Sequence, residues 1–356
     1  RWRPVTGALP PLSAADWSAE FAGYRESSQY QLLNAGMSLA DFKSIYWWEW
    51  DHRQLGRFIG LVYGGVLLFG LARRAFPFAV GVRLALMGVL LGLQGLIGWL
   101  MVASGLKPGM TAVEPIDLAA HLLLASLFLA TLVAMATALG RSPQGSAAAL
   151  GRIPMGEKAA SRHQGSGSAV LVEGAPAIPA SASWLSKLLL GCILLQITLG
   201  ALVAGSHAGL VYNTWPSMDG RLLPPLRELF AASPWFANFF ENVTLIQLDH
   251  RLLAYLVLAL ALWNATIWSG RGRDRSLGRL AALLAILVLG QIGLGVATLV
   301  LAVPLSAALS HQLLAMLVLA TAARLTAACA RLSRFPSFSP ALSAAEGPLA
   351  AHVATR

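Results

Sequence analysis

Tyr46-Trp47-Trp48-Glu49-Trp50-Asp51-His52-Arg53-Gln54-Leu55-Gly56-Arg57 leads straight into a long apolar stretch. Glu49 stands three residues before His52, and positions i and i+3 share one face of a helix. A helix that begins before Glu49 therefore aims a carboxylate and an imidazole the same way at a membrane surface. The pattern returns as Ile246-Gln247-Leu248-Asp249-His250-Arg251-Leu252. Both copies read Asp-His-Arg, but Gln247 stands where the first copy has Glu49. One site carries an acid that its twin lacks, which points to chemistry at the first and not at the second.

The surrounding chain is built for a bilayer. Of 356 residues, 56% are hydrophobic and 12% charged, against about 25% charged in soluble domains. Seven apolar runs, at 55–72, 84–104, 118–139, 184–205, 252–268, 280–303 and 305–329, each approach the roughly 20 residues that a bilayer demands. The net charge of +10 is concentrated in alternate loops: Arg73, Arg74 and Arg83; Arg141, Arg152, Lys158 and Arg162; Arg271, Arg273, Arg275 and Arg279; Arg331 and Arg334. By the positive-inside rule these loops are cytoplasmic, so residues 1–45 and 206–249 face outward. The basic excess thus reads as topology and not as a nucleic-acid surface. Cys192 and Cys329 lie inside apolar runs and read as small core residues, neither a disulfide nor a metal site.

The chain also repeats. Asp51-His52-Arg53 matches Asp249-His250-Arg251, Gln94 and Gly98 match Gln291 and Gly295, and Ala120-His121-Leu122 matches Ser310-His311-Gln312. Matched elements are four spans apart, so both copies cross in the same direction, as in parallel repeats. The expected fold is an all-α polytopic membrane helical bundle of two parallel four-helix repeats. Seven spans are visible, and a first helix of the N-terminal half is expected before Arg1. Residues 1–140 form the N-terminal half, an outer loop plus three spans. Residues 141–183 read as a flexible cytoplasmic linker, 184–334 as the C-terminal four-helix half and 335–356 as a disordered tail.

Four of the seven histidines, His52, His121, His250 and His311, start apolar runs at the outward ends of their helices, two in each half. Level histidines on neighbouring helices can ligate one heme iron from both faces. Zinc is the rival, but it takes three or four grouped ligands, which neither half supplies. Arg53 and Arg251 either meet heme propionates or snorkel at the interface. Trp47, Trp48 and Trp50 form an interfacial belt or wall a porphyrin. Gly56, Gly60, Gly64, Gly65, Gly293 and Gly295 serve close helix packing or leave room for a flat ligand. Glu49 is either a surface salt-bridge partner or an acid/base or cation stabiliser beside a substrate. His207 has no counterpart in the repeat and reads as a surface residue.

As a set these motifs resemble the heme A synthase family, in its proteobacterial and mitochondrial branch. The likeness rests on Trp47-Trp48-Glu49-Trp50-Asp51-His52-Arg53 with Gly56-Arg57, on Tyr212-Asn213-Thr214-Trp215-Pro216-Ser217-Met218-Asp219-Gly220, and on Asp249-His250-Arg251, His121 and His311-Gln312. Trp2-Arg3-Pro4-Val5-Thr6-Gly7-Ala8-Leu9-Pro10-Pro11 belongs with them. The resemblance implies an eight-helix oxidoreductase that oxidises the C8 methyl of heme O to a formyl group, making heme A for cytochrome oxidase. It implies heme b at His250 and His311, substrate heme O at His52 and His121, and Glu49 as the essential acid. It further implies a multi-pass protein of the bacterial inner membrane with its heme sites toward the outer face. The implied partners are a heme O synthase as donor and an electron-transfer protein, with room for a homo-oligomer. The alternatives are a two-heme b-type electron-transfer cytochrome and a transporter built from parallel repeats. The transporter reading expects ionisable groups near the midplane, whereas here they lie at the outward edge.

Overall fold

Apolar runs of this length must satisfy their backbone polar groups internally, and helices do so. The computed structural model describes residues 6–140, 180–270 and 273–333, and these are helical with short connections. The elements in order are α1 (Ala14–Arg25), α2 (Ser28–Leu33), α3 (Leu39–Ala72), α4 (Phe78–Gly105), α5 (Pro115–Leu139) and α6 (Ala180–Gly205). They continue with the short α7 (Leu226–Leu229) and α8 (Asn238–Glu241), then α9 (Val243–Trp268), α10 (Arg275–Val300) and α11 (Leu305–Ser333). Seven of them, α3 to α6 and α9 to α11, are long and apolar enough to cross a membrane.

Local chemistry sets the ends. Ser38 caps α3 with a reciprocal bond to Asp41, Pro115 opens α5, and Asn242 and Asp274 accept from the first free N–H groups of α9 and α10. Two boundaries differ from the sequence expectation. α3 starts at Leu39, sixteen residues before the apolar run at 55, because a good cap and an aromatic, helix-compatible stretch carry the helix outward. At about 1.5 Å per residue its 34 residues exceed a hydrocarbon core of about 30 Å. α6 starts at Ala180, inside the segment assigned to the linker. The rest of that linker, the tail and Trp2 to Val5 lie outside the described residues.

In the second half α6, α9, α10 and α11 close a ring: α6 packs on α9 and α11, and α10 packs on both of those as well. α9 and α11 thus stand on one diagonal. The core between them comes from Leu185 and Leu189, Leu260 and Ala261, Leu284, and Leu319 and Leu325, all at most 6% exposed. α5 lies against α6 and α11 and joins the halves, α4 packs on α5, and α3 on α4. α3 exposes Phe58, Leu61 and Leu68 at 63%, 76% and 68%. Such a surface suits lipid and not water. At the N-terminal end of α3, α1 is fixed to it by Trp17, whose ring lies 5.0 Å from Tyr46 and 5.8 Å from Trp47.

Candidate functional site

His52 is carried by α3 and His121 by α5, the seventh residue of its helix; His250 and His311 hold the matching places on α9 and α11. About six or seven residues at roughly 1.5 Å each put the latter three some 10 Å along their helices. The rings of His52 and His121 face each other with centroids 6.4 Å apart and planes at 69°. Two imidazole nitrogens, each about 2 Å from one metal ion, put the ring centroids about 6 Å apart. The pair therefore has the spacing that a single iron between two imidazoles requires. Among the described residues no group of three or more His, Cys, Asp or Glu side chains could hold a metal ion, which disfavours zinc.

Three of the histidines lie against a glycine of the adjacent helix. A Cβ on Gly98 of α4 would fall 2.7 Å from His121 Cε1, one on Gly295 of α10 2.8 Å from His311 Cε1, and one on Gly200 of α6 3.2 Å from His250 Cε1. These cradles exist only because the side chain is missing. One turn earlier on the same helices, Gln94, Gln291 and Gln196 reach the same three imidazoles. The sequence reading matched Gln94 and Gly98 with Gln291 and Gly295. It overlooked Gln196 and Gly200, the same Gln-x-x-x-Gly spacing on the second half's first helix. His311 Nδ1 is buried without a partner, so that ring keeps an uncommitted nitrogen. Gly200 and Gly295 leave a side-chain-free seat behind the rings of His250 and His311, and imidazole nitrogens held in this way are donors suited to a heme iron. Gly56, Gly60, Gly64, Gly65 and Gly293 meet nothing within 4 Å of an added Cβ, so open space, not helix packing, lies beside them.

The acid and its twin differ in surroundings as well as in kind. Glu49 is exposed, its side chain at 62%, and accepts from Arg53 Nη1 at 3.3 Å. Such an i,i+4 pair contributes about 0.3–0.5 kcal/mol, too little to hold Glu49 away from another partner. Gln247 is 2% exposed. Its Nε2 donates to the carbonyls of Ala208 at 3.0 Å and Tyr212 at 3.3 Å, and its Oε1 accepts from Arg251 at 3.3 Å. Arg251 also donates to the carbonyls of Tyr212, Thr214, Pro216 and Ser217. The second site's polar pair is thus committed to strapping the 208–217 segment onto α9, while the first site's pair is bonded only to itself and leaves Glu49 exposed. Of the Arg251 guanidinium nitrogens, Nε is the one left buried and unpartnered. Trp47 packs on Trp17 and Trp50, and Trp48 is exposed at 69%. His207 is an exposed residue, as expected, and both cysteines are free thiols.

The profile of COX15-CtaA, described as cytochrome oxidase assembly protein, matches residues 1–323. The chain is 51% identical over 349 residues to a protein named heme A synthase from Methylobacterium radiotolerans, covering 98% of this chain and 85% of that one. It is 50% identical over 322 residues to a heme A synthase of another Methylobacterium, covering 90% and 81%. A heme A synthase of a Bradyrhizobium species is 45% identical over 320 residues, covering 89% and 79%. No solved structure matches.

Proposed function

The chain belongs to the COX15-CtaA family of cytochrome oxidase assembly proteins, and from that premise we propose that it is a heme A synthase, a multi-pass membrane oxidoreductase that converts heme O to heme A. The observation that carries the assignment of roles is the duplicated histidine pair whose two copies differ at one acid, Glu49 against Gln247. His52 and His121, with rings 6.4 Å apart, hold the iron of the substrate heme O. His250 and His311 hold a resident heme b, which supplies one-electron redox capacity when bound.

Turning the C8 methyl into a formyl group exchanges two C–H bonds for one C=O bond; with water as the source of the oxygen it gives up four electrons to an electron-transfer protein and releases four protons at the reacting edge. Glu49 lies on the same helix face as His52 and is exposed enough to accept them. Its charge also favours any positive charge that develops on the substrate. Arg53, four residues on from Glu49, balances that charge and is placed to meet a propionate. In the second half Gln247 can neither take a proton nor carry charge, which suits a heme that is to be kept and not transformed. The heme sites face the outer side of the membrane, since the Arg-rich loops lie at the opposite helix ends. A heme O synthase supplies the substrate and an electron-transfer protein takes part in turnover.

The test is conversion of added heme O by membranes that contain the protein. His52→Ala should abolish heme A formation and leave heme b in place. Undiminished conversion by that variant would assign the substrate elsewhere. A chain whose two sites both retained heme b alone would be an electron-transfer cytochrome.

A further inference from the structure

We propose that Gln94, Gln196 and Gln291 are positioning residues. Each accepts the N–H of a ligand imidazole and fixes the rotation of that ring, with the glycine one turn further along its helix as the seat. The proposal rests on the reading of His121, His250 and His311 as iron ligands and adds the groups that hold them. Each glutamine comes from the helix next to the histidine's own. Gln94 Nε2 lies 3.1 Å and 3.2 Å from the two ring nitrogens of His121. Gln196 Nε2 lies 3.1 Å and 3.3 Å from those of His250, and Gln291 Nε2 3.3 Å from His311 Nε2. The same amides anchor to the ligand's backbone: Gln196 donates to His250 O at 3.0 Å and Gln291 to His311 O at 2.9 Å.

The Oε1 atoms of all three are buried without a hydrogen-bond partner. One buried amide oxygen in that condition is an accident of packing; the same atom at three places that share one Gln-x-x-x-Gly spacing and one histidine contact is a pattern. An unmet buried acceptor is costly, and in a bilayer water is not at hand to relieve it. An imidazole that gives one nitrogen to iron keeps a hydrogen on the other, and that hydrogen needs an acceptor. An uncommitted buried acceptor stands on the glutamine already touching each of these rings. Turning the ring pairs the two and, at Gln196 and Gln291, leaves the amide bonded to the ligand's backbone carbonyl. Iron ligands with such a partner become stronger donors and hold one orientation. The seat matters to the same end, because a side chain at Gly98, Gly200 or Gly295 would push the ring off its glutamine.

The experiment measures heme content, reduction potential and the low-spin electron paramagnetic resonance signal of the full-length, detergent-purified protein. The variants are Gln196→Leu, Gln291→Leu, Gln196→Glu and Gln291→Glu. Leucine keeps the volume and removes the acceptor, so heme b should be held about 10–100-fold more weakly and its potential should rise. Glutamate can only accept. Like leucine it gives up the bond to the ligand's backbone carbonyl, but it keeps an acceptor at the ring, so it should hold heme b more tightly than leucine does, lower the potential below that of the parent and change the resonance signal. If glutamate and leucine shift the potential in the same direction, or neither moves it, the glutamines are packing residues and the proposal fails. If the parent protein itself shows no bis-imidazole signal, the ligand reading beneath it fails first.

Discussion

Glu49 and Gln247 occupy the same place in two copies of one motif, and the difference is a single ionisable group. Glu49→Gln makes the first copy like the second. Heme binding should persist, while heme A formation should fall by about 10²–10⁴-fold, the span of a lost general acid or base; wild-type output would remove Glu49 from the chemistry. The reverse change is not symmetrical. Gln247→Glu puts a carboxylate against the carbonyls of Ala208 and Tyr212, to which the amide now donates. It should destabilise the protein by about 1–3 kcal/mol without creating a second reactive site, which a thermal melt and a product assay together would check. Glycine behaves as locally. Gly295→Ala drives a methyl to within 2.8 Å of His311 Cε1 and should loosen heme b, whereas Gly191→Ala meets nothing within 4 Å and should leave the pigment unchanged.

At the scale of elements, the Arg251 guanidinium joins α9 to the outer segment through four backbone carbonyls and Gln247. Arg251→Gln removes most of these charge-assisted bonds. The expected loss is on the order of 3 kcal/mol, seen as a lower melting temperature and faster proteolysis within 208–221. An unchanged melt would mean that the strap holds nothing. Asp-His-Arg was legible as a motif, but the partner of its arginine was not, because Tyr212 to Ser217 reach it only through the fold. The seven spans were readable because apolar length is a local property. The outward extension of α3 to Leu39 was not, since Trp47, Glu49, Asp51 and Arg53 interrupt hydropathy without interrupting a helix. Gln196 and Gly200 carried the same spacing as Gln94 and Gly98. Their helix, α6, is the first of the C-terminal half and has no counterpart among the seven spans, so the repeat offers nothing to set beside them.

Across the whole molecule, His52, His121, His250 and His311 lie toward one end of the bundle, and the arginine-rich connections after α3 and α9 lie at the other. Cysteine labelling of intact cells tests that polarity. Leu222→Cys, on a residue 77% exposed in the outer segment, should react with an impermeant maleimide, and Ser276→Cys, at the start of α10 among the arginines, should not; the opposite pattern would invert the topology. The account as a whole stands on iron porphyrin held twice, once as substrate and once as cofactor. The most direct test is a chromatogram of hemes extracted from the purified protein and from its His250→Ala variant. The protein should yield heme b together with heme O or heme A, and the variant should lose heme b. Heme b as the sole pigment, or heme b retained in full without His250, would contradict the assignment.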